Sequence, residues 1–202
     1  ALGIKHVRFV YGAWKPKDYT LKQAEERWRS IVEPSVALYG LTYSIGDRKG
    51  VEVNHMLRAA IDTYRKVGKI GKIPVQCKQG EYVTLTLRKS RNPERDSNEA
   101  ESLKFIESCD RKVILIRDWD ESPLDLEDRM RLYANAFTNI MVINGTATLC
   151  FHSEAPYICM KTIGPEASHS TNPAFSKANG ITPGFQFPWA NDKQKLSYLD
   201  DT

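Results

Sequence analysis

The sequence predicts an α/β protein whose mostly parallel sheet is flanked by helices. Four short apolar runs recur between Tyr82 and Lys161, namely Val83 to Leu87, Val113 to Ile116, Ile140 to Ile143 and Tyr157 to Met160. Each has the length of a strand. Two of the gaps between them carry helical patterning with capping residues, and apolar runs alternating with helices are the mark of a parallel sheet covered on both faces. Ligands of such sheets bind beyond the carboxyl ends of the strands. Here those ends lead into Arg88, Asp118 and Asn144-Gly145-Thr146, a polar and partly cationic rim.

Ahead of these runs, Ile4 to Tyr11 alternates as a strand and ends at Gly12. Leu21 to Val32 reads as a charged helix stopped by Pro34, Val36 to Tyr43 as a β-prone run broken by Gly40, and Ile45 to Gly50 as a turn. Val53 to Val67 sets Met56, Leu57, Ala60, Ile61 and Tyr64 at helical spacing and stops near Gly68. Lys66 to Lys78 is basic, with Gly68, Gly71 and Pro74; that composition marks a connector. The expected division is therefore 1–78, an amino-terminal segment and connector, and 79–202, the sheet domain.

Within the sheet domain, Asp96 or Ser97 can cap the helix that runs to about Ser108, with Glu99 three residues after Asp96. Lys112 to Arg117 is the second strand. Ser122-Pro123 with Asp125 opens the next helix, on which Leu126, Met130, Tyr133, Ala134 and Phe137 share a face. Asn139 to Ile143 is the third strand. Asn144-Gly145 then admits two structures. It is a hairpin signal, with positive φ at both residues, between Ile140–Ile143 and the alternating run Thr146 to Phe151. It also suits a turn from a buried strand into a helix over Thr146 to Ser153. Tyr157 to Lys161 is the fourth strand, Thr162 to Pro188 is loop-rich, and Asn191 to Leu199 reads as a closing helix.

The 202 residues, 41% hydrophobic and 27% charged, are ordinary for a globular protein. No apolar run approaches the roughly 20 residues that cross a bilayer. No secretory pattern opens the chain, and its start at Ala1 rather than Met predicts an upstream segment. A net charge of +4 is mild and dispersed; it suits phosphate-bearing small molecules, an anionic membrane surface or nucleic acid without choosing among them. Cys77, Cys109, Cys150 and Cys159 form no C-x-x-C pair, and with His6, His55, His152 and His169 they match no zinc spacing. Buried thiols in a reducing compartment are expected.

Several segments together resemble a known family. Tyr82-Val-Thr-Leu-Thr-Leu-Arg88, Arg95-Asp-Ser-Asn98, Leu126-Glu-Asp-Arg-Met130, Asn144-Gly-Thr146 and Gly184-Phe-Gln-Phe-Pro-Trp189 resemble the carboxyl-terminal, donor-binding half of a GT-B glycosyltransferase. The nearest likeness is to uncharacterised bacterial and phage glycosyltransferase-like proteins, and a more distant one is to heptosyltransferase-like and fucosyltransferase-like groups. It covers roughly Tyr82 to Thr202, and its motifs are moderately specific. The resemblance implies a Rossmann-like half of a GT-B fold that holds a nucleotide-diphosphate sugar without a metal or other cofactor and passes the sugar to an acceptor hydroxyl on a glycan or other molecule. It implies a cytoplasmic enzyme, or a peripheral one at the inner face of the membrane, with no nucleic-acid partner. Carried across, the phosphate contacts fall to Arg88 and Arg95 and to Asn144, Gly145 and Thr146. The resemblance also favours strand–turn–helix at Asn144. The stretch before Tyr82 is short for an ordinary GT-B amino-terminal half, so the chain is expected to be a fragment or a reduced form.

Each candidate has a structural role beside the functional one. Arg88, Lys89, Arg91 and Arg95 in one loop would suit phosphate, since guanidinium binds it in a bidentate manner, or would form a solvated charged loop. Ser97 and Asn98 would cap a helix and offer first-turn amides to a ligand. Asp118 and Asp120 would meet ribose hydroxyls or act as caps; their D-x-D spacing is the one pattern that a divalent ion would use. Gly145 would let a ligand approach the backbone, or simply serve a turn. Phe185, Phe187 and Trp189 would stack on a base or pack onto the core. His55 and His152 are candidate proton acceptors with structural alternatives, and the general base stays unassigned. The rival functional class is a non-catalytic Rossmann-like nucleotide- or sugar-binding module or subunit.

Overall fold

The computed structural model describes residues 5–10, 29, 33, 42–46, 61, 64–89, 93, 96–118, 125–162, 177 and 181–198. Contacts divide the chain into two units, Ala1–Ala59 and Ala60–Thr202.

In the first unit, β1 (His6–Val10) and β2 (Thr42–Gly46) pair in parallel, His6 opposite Thr42. The His6 ring joins them sideways, Nδ1 meeting Thr42 Oγ1 at 2.7 Å and Nε2 meeting Ser44 Oγ at 2.9 Å. The turn expected at Ile45 is thus strand as far as Gly46. The predicted helix Leu21 to Val32, and most of Val53 to Val67 with His55 and Met56, lie outside the described residues.

The second unit holds a five-stranded, all-parallel sheet, the architecture expected from the alternating apolar runs. Its strands are β3 (Tyr82–Leu87), β4 (Lys112–Arg117), β5 (Thr138–Val142), β6 (Tyr157–Met160) and β7 (Gln194–Leu196), in the order β4-β3-β5-β6-β7. The helices described between these strands are α1 (Glu99–Ser108), α2 (Leu126–Ala134) and α3 (Ala147–Phe151). β3 lies inside the sheet, between β4 and β5, and is buried from Val83 to Leu87, because an apolar residue on either face of a parallel strand meets covering structure. Its two threonines face polar partners: Thr84 Oγ1 donates to Asn139 Oδ1 at 2.6 Å, and Thr86 Oγ1 lies 2.8 Å from Tyr133 Oη. Asn139 Nδ2 donates to the carbonyls of Tyr133 and Pro156. With its partners in place a buried polar group of this kind fixes the register of β3 on β5.

Three elements depart from the sequence reading. The cap of α1 is Asn98, whose Oδ1 accepts from the Glu101 amide, and neither Asp96 nor Ser97 takes that role. Helix α2 opens at Asp125, which accepts from Asp128 N at 2.7 Å; Ser122-Pro123 lies outside the described residues. The closing helix expected from Asn191 is strand β7 instead, parallel to β6. Tertiary bonds override local propensity there. Buried Gln194 donates to the carbonyls of Cys150, Ser153 and Ala155 and accepts from Asn191 N, while Leu196 turns into the core.

Asn144 leads into a helix, not a hairpin. β5 pairs in parallel with β3 and β6, α3 follows, and neither Asn144 nor Gly145 has positive φ. The hairpin would have needed that backbone geometry at both positions.

Phe187 and Trp189 pack in the core. Their rings stack at 4.9 Å, and Trp189 Nε1 donates to the Phe151 carbonyl at 2.9 Å. Among the described residues no helix is long and apolar enough to cross a membrane.

Candidate functional site at the carboxyl ends of the strands

The chain leaves β3 for β4 on one side of it and returns from β4 to β5 on the other. With right-handed crossovers, α1 and α2 then lie on opposite faces, and the chain parts in two directions above β3 and β5. That switch point is where an open parallel sheet presents main-chain groups and side chains to a ligand. Arg88, Asp118 and Asn144 all stand there, after β3, β4 and β5.

Arg88 is half-buried, and its Nη1 donates to the Ile143 carbonyl at 2.6 Å, tying the end of β3 to the end of β5. Nε and Nη2 make no hydrogen bond among the described residues. Burial lowers the Arg88 pKa from its ordinary value, while the charges of Asp96 and Asp118 oppose the shift. A desolvated guanidinium gains more from an anionic partner than one in water does.

Ser97 is fixed on Arg88 from both sides. Arg88 N donates to Ser97 Oγ at 2.9 Å, and Ser97 N donates to the Arg88 carbonyl at 3.0 Å. Ser97 and Asn98 therefore shape the loop and start the helix. Arg95, Arg91 and Asp120 lie outside the described residues.

Asp118 is occupied within the protein. Its Oδ1 accepts from Arg129 Nη1 at 2.7 Å and its Oδ2 from Asn144 Nδ2 at 2.8 Å. Arg129, on α2, is only 3% exposed, and its Nε is buried without a partner among the described residues. The hydrogen bonds to Asp118 and Tyr133 outweigh burial and raise the Arg129 pKa. Asn144 is oriented by this contact. With Nδ2 on Asp118, its Oδ1 faces α3 and accepts from Ala147 N at 2.8 Å and from Thr146 Oγ1 at 3.0 Å. Sequence reasoning missed Arg129. The available signal was a carboxylate at a strand end beside a helix whose apolar face includes the adjacent Met130.

The turn itself offers less to a ligand than a long helix would. Ala147 N is bonded to Asn144, Thr148 N to the Gly145 carbonyl and Leu149 N to the Thr146 carbonyl. The amides of Gly145 and Thr146 make no hydrogen bond among the described residues. Nothing lies within 4 Å of where a Gly145 Cβ would stand, and its φ is not positive. The backbone there does not require glycine; what glycine leaves is open space.

Lys161 follows β6 with φ 50, the left-handed region that a side chain disfavours, and its Nζ donates to the Asp96 carbonyl at 2.8 Å. His152 lies elsewhere, at the end of α3, stacked on Trp189 with Nδ1 3.3 Å from the Gly71 carbonyl. Burial lowers its pKa. Cys150 and Cys159 are buried thiols whose pKa burial pushes up. Among the described residues no three His, Cys, Asp or Glu side chains gather as a metal site.

Comparison with known proteins finds no matching family model, no matching curated protein and no matching solved structure.

Proposed function

We propose that the Ala60–Thr202 unit binds the diphosphate of a nucleotide sugar at the switch point, and that the protein transfers the sugar to an acceptor hydroxyl. The observation that carries this reading is Arg88: a half-buried guanidinium at the end of the interior strand β3, anchored through one nitrogen to the end of β5. Held in this way it is a preorganised partner for a developing diphosphate charge. The amides of Gly145 and Thr146, the open space at the Gly145 Cβ position, and the resemblance to GT-B donor halves support the same reading. Arg88 and Arg95 would stabilise the leaving diphosphate, with Asn144, Gly145 and Thr146 positioning it, and no metal is required. The acceptor hydroxyl still needs a general base.

One observation favours the non-catalytic alternative, a nucleotide- or sugar-binding module. Asp118, the described carboxylate that directly follows a strand at this rim, has both oxygens engaged and does not serve as that base.

The test is calorimetric titration of the whole chain with nucleoside diphosphates of each base and with their sugar conjugates. Tight binding of one of them is expected, and Arg88→Ala should weaken it by about 1.5–3 kcal/mol, the range for hydrogen bonds to charged groups. Failure of every diphosphate to bind would end the reading. Binding without any donor turnover or transfer would select the module.

A further inference from the structure

We propose that Asp96 Oδ1 accepts a hydrogen bond from a ligand hydroxyl, so that the switch point reads a polyol, ribose or donor sugar, together with its phosphate. This rests on the nucleotide-sugar reading and assigns it a second recognition group.

Asp96 is held in place by its neighbours. Its amide donates to the Pro93 carbonyl at 3.0 Å, the next residue is bonded twice to the Arg88 backbone, and its own carbonyl receives Lys161 Nζ. Lys161 follows β6 and Arg88 follows β3, with β5 between them in the sheet. The Lys161 contact therefore passes over the carboxyl end of β5, where Arg88 meets the Ile143 carbonyl. Beside these contacts Asp96 Oδ1 is buried and accepts no hydrogen bond among the described residues. Leaving a buried acceptor unpaired is costly, and the neighbouring acceptors avoid it: Asp118 and Asn144 are satisfied at every carboxylate or amide oxygen.

The surroundings select the chemistry of the missing donor. Arg88 and Lys161 make the site unfavourable for a further cation, and each donates to a main-chain carbonyl rather than to Oδ1. The carboxylate itself repels an anion. A neutral donor suits both, and the hydroxyl of a sugar ring is the donor that a phosphorylated ligand brings to such a place.

The experiment titrates the full chain with the tightest-binding nucleoside diphosphate, its 2′-deoxy and 3′-deoxy analogues, the matching nucleotide sugar and its monodeoxy sugars. In the unsubstituted protein one deoxy analogue should bind about tenfold more weakly than its parent, and the position of the missing hydroxyl tells ribose from donor sugar. In Asp96→Ala that ratio should fall to near one, with Asp96→Asn, which keeps an acceptor oxygen, in between. Equal affinity across the whole deoxy series, which a buried water on Oδ1 would produce, overturns the proposal while leaving nucleotide binding intact. So does a tenfold ratio that persists in Asp96→Ala. If the Asp96 variants do not fold, the series in the unsubstituted protein decides: no discrimination refutes the proposal and discrimination sustains it. Failure of every diphosphate and nucleotide sugar to bind refutes both readings together.

Discussion

Asp118, Arg129 and Asn144 illustrate what single residues reveal in sequence and what they hide. A carboxylate after a strand reads equally as a ligand contact or a cap, and only the folded chain brings Arg129 from the following helix against it. Arg129 is 3% exposed and Asp118 21%, so the pair is largely desolvated. Removing one member leaves the other charge buried, which costs about 3–5 kcal/mol. Asp118→Ala should therefore lower the unfolding free energy by about that amount in urea titration, while Asp118→Asn, which still accepts from Arg129, should lose less. The exchange Asp118→Asn with Asn144→Asp leaves Arg129 donating to residue 118 and reverses only the donor of the bond between 118 and 144. It should recover much of the stability and yet weaken diphosphate binding, because a carboxylate then stands at the ligand turn. If the exchanged pair binds diphosphate as the original does, Asn144 is not at the anion site.

The strands were the legible elements, since burial on both faces writes an apolar run that survives any context. Caps and short terminal elements were not legible, because one hydrogen bond decides them: Asn98 outcompetes its neighbours for the start of α1, and Gln194 turns a helical pattern into β7. Gly80 was equally silent. A Cβ there would stand 1.8 Å from the Asn135 carbonyl oxygen, a main-chain atom held in the α2 cap. Gly80→Ala should lower stability by about 1–3 kcal/mol, the usual range for overpacking, and Gly145→Ala should cost far less. Equal denaturation midpoints for the two would refute the close approach. His152 adds a pH dependence. Its folded pKa lies below the unfolded value near 6.5, so the folded state resists protonation. Its contribution is complete above that value and is lost as the pH falls through the folded pKa. Stability should drop as the pH falls below the unfolded value of about 6.5, and His152→Gln should flatten that slope; an unchanged slope would assign it to other groups.

At the scale of the molecule, composition sets a boundary at Lys78 because Lys66 to Lys78 carries the glycines, proline and charge of a linker. The contacts divide the chain between Ala59 and Ala60 instead. Residues 61 and 64–78 are bound to the sheet unit at successive points. Ile61 is buried, Tyr64 lies 5.6 Å from Trp189, and Gly71 and Ile73 bond to His152. Lys72 pairs with Glu154, and Lys78 N donates to the Ala134 carbonyl. Linker composition reports what a segment permits, and these partners, distant in sequence, are what hold it. The two boundaries predict different fragments. Residues 60–202 should unfold cooperatively as an independent unit. Residues 79–202 lose the burial of Ile61, about 1.5–3 kcal/mol, and the hydrogen bonds of the strap, each worth about 1 kcal/mol. The shorter fragment should melt well below the longer one and expose the Trp189 face, seen as a red-shifted tryptophan emission. Coincident melting curves for the two would place the boundary at Lys78 and show that residues 61–78 contribute nothing to the stability of the sheet domain.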